Sequence, residues 1–235
     1  MSLIKKAFQT IFEILPRQCL NCHRFGTAGK DICHYCADKI TFGSPARMAT
    51  PECPLNLNLP GKIYLDGYQV VTNFRPPISV LIKTMKYDSV KPVAHILGEW
   101  LWWWGSEPWR IDGICHVPLH PRRFGERGFN QAQIMAATYA QLAHLPHLPL
   151  LERRQHTLNQ AATTLTQRQT QLAGIFGVKE KFLEEGARAQ LAGRNILIID
   201  DVMTSGHTFN ECARALKTQV GIAHVYALAL AGKQN

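Results

Sequence analysis

An α/β fold with a parallel sheet, preceded by a small metal-binding module, is predicted by three features of the 235-residue chain. Short apolar runs alternate with helix-period segments from residue 63 onward. Two Cys-x2-Cys pairs stand near the start. One apolar run, "NILII" (195–199), ends on adjacent carboxylates that hydroxyl and glycine residues follow.

The alternation sets the elements in order. "IYLDGYQVV" flanks Asp66-Gly67 with strand formers, a hairpin signal. "PPISVLIKTMKY" (76–87) puts Ile78, Leu81, Ile82 and Met85 on one helical face and directs Lys83 and Lys86 elsewhere. A second helix over 91–104 buries Val93, Ile96, Leu97, Trp100, Leu101 and Trp104, and this spacing assigns the tryptophans to core or interface rather than to a stacking platform. "GICHVPL" (113–119) reads as a strand, 129–143 as a helix, 195–199 as a buried strand, 206–218 as a helix and "HVYALALA" (224–231) as a last strand. Strands separated by helices need crossovers, which make the sheet parallel. Pro45, Pro51, Pro54 and Pro60 mark 41–62 as a linker between an N-terminal module (1–40) and the α/β domain (63–235).

Composition excludes wholesale disorder, with 46% hydrophobic residues and no repeat or low-complexity tract. The net charge of +9 points to an anionic partner, nucleic acid or a phosphorylated small molecule. Its positive residues gather between 110 and 194 as Arg122, Arg123, Arg127, Arg153, Arg154, Arg168, Arg188 and Arg194. Arginine offers bidentate phosphate contacts that lysine does not. No run approaches the roughly 18 apolar residues of a membrane span. In the N-terminal stretch, Gln9, Thr10 and Glu13 interrupt the apolar residues, while Ile4, Phe8, Ile11, Phe12 and Leu15 share one helical face. It reads as an amphipathic docking helix rather than a signal peptide, and a cytoplasmic location is the expectation.

"CLNC" (19–22) and "CHYC" (33–36) form a paired-knuckle pattern with ten residues between the pairs. Each knuckle turns two thiolates toward one metal, so Cys19, Cys22, Cys33 and Cys36 make the tetrahedral sulfur cage that zinc prefers. Four sulfur ligands leave no open position, so the zinc is structural. Cys115 and Cys212 read as small core residues, and His23 and His34 as exposed bystanders.

A buried parallel strand delivers its last residues to the carboxyl edge of the sheet, where such sheets bind ligands. Asp200 and Asp201 are placed there, and two adjacent carboxylates need a cation, hydroxyl donors or both. "MTSGHT" (203–208) then supplies backbone N–H groups, the hydroxyls of Thr204, Ser205 and Thr208, and Gly206 where the backbone comes close. The following helix turns its positive end to the same spot. A diol on the carboxylates and a phosphate in the loop describe a ribose 5-phosphate. A Walker A loop would need a lysine here, and a dinucleotide fingerprint two more glycines.

With these residues in view, the chain resembles the ComF family, named for DNA uptake in competent bacteria, and more broadly the type I phosphoribosyltransferases. The likeness is carried by Leu197–Phe209, "VPLHPRRFGERGFNQA" (117–132), "HTLNQAATTLTQRQ" (156–169) and the cysteine knuckles ahead of "LIKTMKY". It implies a type I phosphoribosyltransferase-like parallel sheet flanked by helices. It implies further that Asp200 and Asp201 hold the ribose hydroxyls of phosphoribosyl pyrophosphate with Mg2+, and that Met203, Thr204, Ser205, Gly206, His207 and Thr208 cradle the 5-phosphate. Pro118 and Leu119 fall in a loop resembling the pyrophosphate loop, with Arg122 and Arg123 as pyrophosphate ligands. Gln160 and Arg168 match patterned positions of a mobile catalytic loop.

Departures from the family pattern are few. Only Cys53 remains of a second cysteine set, so one zinc is expected. Gln171 stands where relatives carry Asn, and Thr-Ser-Gly replaces Thr-Thr-Gly. The resemblance also implies single-stranded DNA and competence-machinery proteins, such as a DNA-translocating ATPase, as partners. Two functions follow: a DNA-uptake or DNA-utilization protein with a ribose-phosphate site, or an active phosphoribosyltransferase on an unknown acceptor.

Overall fold

The computed structural model describes residues 18–25, 32–43, 47–48, 57, 59, 61–87, 90–105, 109–154 and 174–232. The N-terminal docking helix, Cys53, Gln160, Arg168 and Gln171 therefore lie outside the described residues. A five-stranded sheet forms the centre, in the spatial order β1-β2-β7-β6-β3. Its strands are β1 (Arg47–Met48), β2 (Gly67–Asn73), β3 (Gly113–His116), β6 (Asn195–Met203) and β7 (His224–Gly232). All neighbours are parallel except β1, which runs antiparallel to β2 at the edge. A separate antiparallel ribbon pairs β4 (Leu151–Arg153) with β5 (Phe176–Val178).

Helices cover both faces, as a parallel sheet requires. Successive residues of β6 point to opposite sides. Leu197 and Ile199 enter one apolar cluster with α2 (Ile78–Tyr87), α3 (Lys91–Trp104) and α5 (Gln131–Ala143). Ile196 and Ile198 enter the other, with α6 (Glu185–Leu191), α7 (His207–Val220) and the β4–β5 ribbon. The cysteine knuckles and their short helix α1 (His34–Ala37) share the first cluster, so the module packs on the same core as α2 and α3.

The parallel α/β expectation holds, and the boundaries of 91–104 and 224–231 come within a residue of the observed ones. The hairpin at Asp66-Gly67 does not form. Asp66 instead ends the sheet's approach: its carboxylate accepts the Val225 N–H at 2.7 Å and pairs with Lys217 at 2.7 Å. Gly67 then starts a strand parallel to β7, and a Cβ there would meet Arg47 O at 2.9 Å and the Trp109 ring at 3.1 Å. That glycine serves close packing, not a turn.

The helix over α3 buries Val93, Ala94, Leu97, Gly98 and Leu101, a narrower stripe than its composition implies. Ile96 and Trp100 are only half-buried, and Trp104 is 47% exposed, stacked on Phe42 with ring centroids 4.6 Å apart. The stripe shifts because α5 packs so closely that a Cβ on Gly98 would lie 2.8 Å from Met135 O. Within 41–62, β1 pairs with β2 and Leu57 packs against the second cluster. Among the described residues no helix is long and apolar enough to cross a membrane.

Candidate ribose-phosphate site and metal centre

The strand ends differ from the sequence expectation, and the difference builds the site. β3 stops at His116, paired with Ile199, four residues short of the end of β6 at Met203 (203 − 199 = 4). The last ladder bond runs from Val117 N to Ile199 O at 3.1 Å. Past that point, among the described residues, β6 pairs with β7 alone, with Asp200 opposite Ala229 and Met203 opposite Gly232. The carboxylates thus stand inside the strand but beyond its neighbour. From β3 the chain leaves toward α5 on one face, and from β6 toward α7 on the other. A crevice where connections diverge in this way is the ligand position of open parallel sheets.

Backbone alternation sends the two carboxylates to opposite faces of β6 at this end of the strand. The Ile199 carbonyl faces β3, so the Asp201 N–H, two residues on, faces the same side where no strand remains. Asp200 Oδ1 accepts that N–H at 2.8 Å. Asp201 points to the α2 face, where Lys86 Nζ donates to its Oδ1 at 2.6 Å. Asp201 is buried and Asp200 half-buried. Burial, then repulsion from Asp201, pushes the Asp200 carboxyl up to about 8, with Lys86 opposing.

The loop after β6 turns directly into the N-terminus of α7. Gly206 sits at φ 81° as the N-cap of α7, and a Cβ there would meet Met203 Cε at 2.8 Å. Thr204, Ser205 and Thr208 are exposed, His207 is half-buried, and Met203 is buried beneath the turn. Ser205 Oγ accepts the His207 N–H at 3.4 Å.

The Val117–His120 loop leads into α4 (Pro121–Arg127), whose N-cap His120 accepts the Arg122 N–H at 3.1 Å. Pro118 is buried and Leu119 half-buried. Arg122 and Arg123, with His120, Glu126 and Arg153 of β4, line an open hollow of ≈ 430 Å3. Burial and the nearby Arg123 both push the Arg153 guanidinium below its usual range, so two positive groups face each other across this hollow. An anion there would relieve that repulsion.

Sequence reasoning missed Lys86 and His120, and named Arg153 only among the clustered arginines. For Lys86 a signal existed: Ile78, Ile82 and Lys86 fall four residues apart on one helical row, so the lysine extends the buried stripe to the sheet's carboxyl end. It does not point elsewhere, as Lys83 does.

The candidate metal centre is separate. The Sγ atoms of Cys19, Cys22, Cys33 and Cys36 all lie within 4.8 Å of one another. Four sulfurs at about 2.3 Å from zinc would stand roughly 3.8 Å apart, and Cys22 Sγ to Cys33 Sγ measures 3.6 Å. The cluster fits zinc. Burial raises the Cys36 thiol to about 12, whereas at Cys19 burial is outweighed by backbone N–H bonds from Cys33, Cys22 and Asn21, which hold it near 6. Cys115 and Cys212 are buried, and His23 and His34 exposed, as the sequence implied.

No protein-family model matches the chain. Among known proteins, it is similar to ones named for competence and DNA utilization. The chain is 24% identical to competence protein F of Haemophilus influenzae over 71% of its length and 72% of that protein's. It is 27% identical to the DNA utilization protein YhgH of Escherichia coli K12, over 84% and 83%. Competence protein ComFC of Bacillus subtilis is 31% identical over 50% of this chain and 43% of its own. Among solved structures, the glutamine phosphoribosylpyrophosphate amidotransferase of B. subtilis, complexed with ADP and GMP, superposes with a TM-score of 0.37. It is 14% identical, over 61% of this chain and 26% of that one. The chain is thus similar to proteins named for competence and for DNA utilization.

Proposed function

We propose that this protein acts in the uptake or use of DNA and carries, at the β3–β6 crevice, a binding site for phosphoribosyl pyrophosphate or a related ribose phosphate. The names of its homologues support the first part. The second rests on one juxtaposition: Asp200 and Asp201 at the crevice edge, followed directly by the Thr204–Thr208 turn at the α7 N-terminus. Carboxylates accept the hydroxyls of a sugar, and the helix start attracts its phosphate. Carboxylate oxygens also suit Mg2+, which would arrive with the pyrophosphate and offset its charge.

Turnover is the second reading, favoured by the arginine-lined hollow. A phosphoribosyl transfer expels pyrophosphate while positive charge grows at the anomeric carbon, so cations at the leaving group and carboxylates near the sugar are what it needs. Arg122, Arg123 and Arg153 would serve the leaving group. The same positive surface also offers single-stranded DNA a set of phosphate contacts.

Calorimetric titration of phosphoribosyl pyrophosphate with Mg2+ into the full chain tests the site. Binding by the native protein that D200N/D201N abolishes is the expected result; equal binding by both removes the proposal.

A further inference from the structure

The segment ahead of β2 is clamped along α7 by one buried side chain. Asn210 is 6% exposed, and both ends of its amide engage backbone from far earlier in the chain. Its Oδ1 accepts the Tyr64 N–H at 2.6 Å, and its Nδ2 donates to the Lys62 carbonyl at 3.1 Å. The Asn210 N–H itself reaches back to the Gly206 carbonyl at 2.9 Å, so the clamp stands one turn behind the α7 N-cap. On the N-cap side, Leu57 lies against the turn: a Cβ on Gly206 would meet its Cδ2 at 3.2 Å and its Cδ1 at 3.3 Å. At the far end, Asp66 pairs with Lys217 at 2.7 Å in the last turn of the helix.

These contacts matter because the turn has little of its own to hold it. Gly206 sits at φ 81° and has no side chain to pin it, and glycine moves easily between backbone conformations. Thr204, Ser205 and Thr208 are exposed, while the side of the turn that a Gly206 Cβ would occupy rests on Leu57 and Met203. Leu57 packs against the second cluster as well, which makes it a fixed support wherever the chain around it is fixed. Asn210 supplies that fixing through a donor and an acceptor at once.

We propose that Asn210 is a positioning residue of the candidate site: by clamping Lys62 and Tyr64 onto α7 it keeps Leu57 against the Gly206 turn, and so fixes the backbone groups that receive the phosphate. The inference rests on the ribose-phosphate reading above and adds to it a support drawn from the chain between the N-terminal module and β2. A binding turn displaced by a fraction of an ångström loses hydrogen bonds that depend on its geometry, even where the fold survives. Asn210 touches no ligand and acts through Leu57.

Calorimetric titration of ribose 5-phosphate into the full-length native protein, N210A, L57A and K217A, each with a thermal melt, provides the test. N210A and L57A should each weaken binding about tenfold. The double variant should bind no more weakly than the worse single one, because both changes remove the same support. N210D keeps the acceptor for Tyr64 but opposes the Lys62 carbonyl, so it should fall between native and N210A. K217A loosens the same segment at the far end of α7; it should lower the melting temperature and keep the affinity within about threefold of native. A merely structural asparagine would lower the melting temperature of N210A and leave its affinity unchanged, which overturns the inference alone. Affinity that falls in step with melting temperature across all variants, K217A included, overturns it equally. Should N210A fail to fold at the assay temperature, L57A and N210D carry the same comparison. If ribose 5-phosphate does not bind the native protein, the ribose-phosphate reading itself falls, and this inference with it.

Discussion

His116 Nδ1 lies 3.0 Å from His147 Nε2, joining the end of β3 to the segment that Ile114 and His147 bridge in parallel. One ring donates and the other accepts, so the contact cannot form with both rings charged. Burial, then His147 and Lys179, lowers His116 to about 3, and burial, then Lys179, lowers His147. The unfolded chain takes up protons below pH 6.5 that the folded chain refuses. Stability is therefore complete above that pH and falls as pH drops from 6.5 toward 3, by up to about 1.4 kcal/mol per pH unit through His116, with His147 acting in the same direction. Asp200, raised to about 8, acts in the opposite sense between pH 4 and 8, since the folded chain keeps its proton there. Urea melts of D200N between pH 4 and 7.5 should show a steep acid loss, and H116Q/D200N a flatter one. Equal slopes would mean that the pair does not resist protonation.

Gly206 and Gly125 should answer oppositely to alanine. Gly206 has φ 81°, and a Cβ there would press on Met203 Cε at 2.8 Å and on the Leu57 side chain at 3.2 Å. A left-handed alanine costs about 1–2 kcal/mol, and the turn must also lift off Met203. G206A should lower the melting temperature by a few degrees and weaken ribose-phosphate binding about tenfold, as a misplaced cradle does. Gly125 lies in α4 with open space around it and no positive φ, so G125A should be neutral or stabilising by about 0.5–1 kcal/mol. Paired thermal melts and titrations separate the two effects.

Much of this was legible from the chain because the relevant signals are local. The run Ile196–Ile199 carries its burial on both faces of the sheet, and the doubled Cys-x2-Cys spacing holds the metal geometry in itself. What sequence could not show depends on where neighbours stop. Asp200 and Asp201 lie within β6, not after it, and reach the crevice because β3 ends at His116. Asp66-Gly67 has the dipeptide of a hairpin, but Val225 N and Lys217, both more than a hundred residues away, claim the aspartate. Trp104 follows helical spacing, yet about half of it stays in solvent, its ring stacked on the half-buried Phe42.

The four cysteines should tie the stability of the whole chain to metal. Cys19, Cys33 and Cys36 belong to the cluster that holds Ile82, Leu97 and Met135, so emptying the cage loosens the face that also positions Lys86. A strong chelator, or C33S, should lower the melting temperature by on the order of 10 °C, the equivalent of a few kcal/mol for a chain of this size. Metal analysis should find one zinc per chain in the native protein and little in C33S. An unchanged melt after complete zinc removal would show that the knuckles fold without it.

Arg123 and Arg153 approach each other across the hollow from α4 and from β4, so a bound anion should be drawn to both at once. Inorganic pyrophosphate is the simplest probe. Each charge-assisted hydrogen bond contributes about 1.5–3 kcal/mol, so R123A or R153A should weaken it about tenfold or more. The losses should not add, because removing either arginine also relieves the repulsion its partner feels. Arg122 is the internal control: it lies on the same hollow but is highly exposed and already paired with Glu126 at 3.1 Å, so R122A should cost less. Calorimetry at two salt concentrations separates the site from general surface charge. Binding through the paired arginines should weaken in R123A and R153A at both concentrations, whereas diffuse attraction would vanish at the higher one for every variant alike.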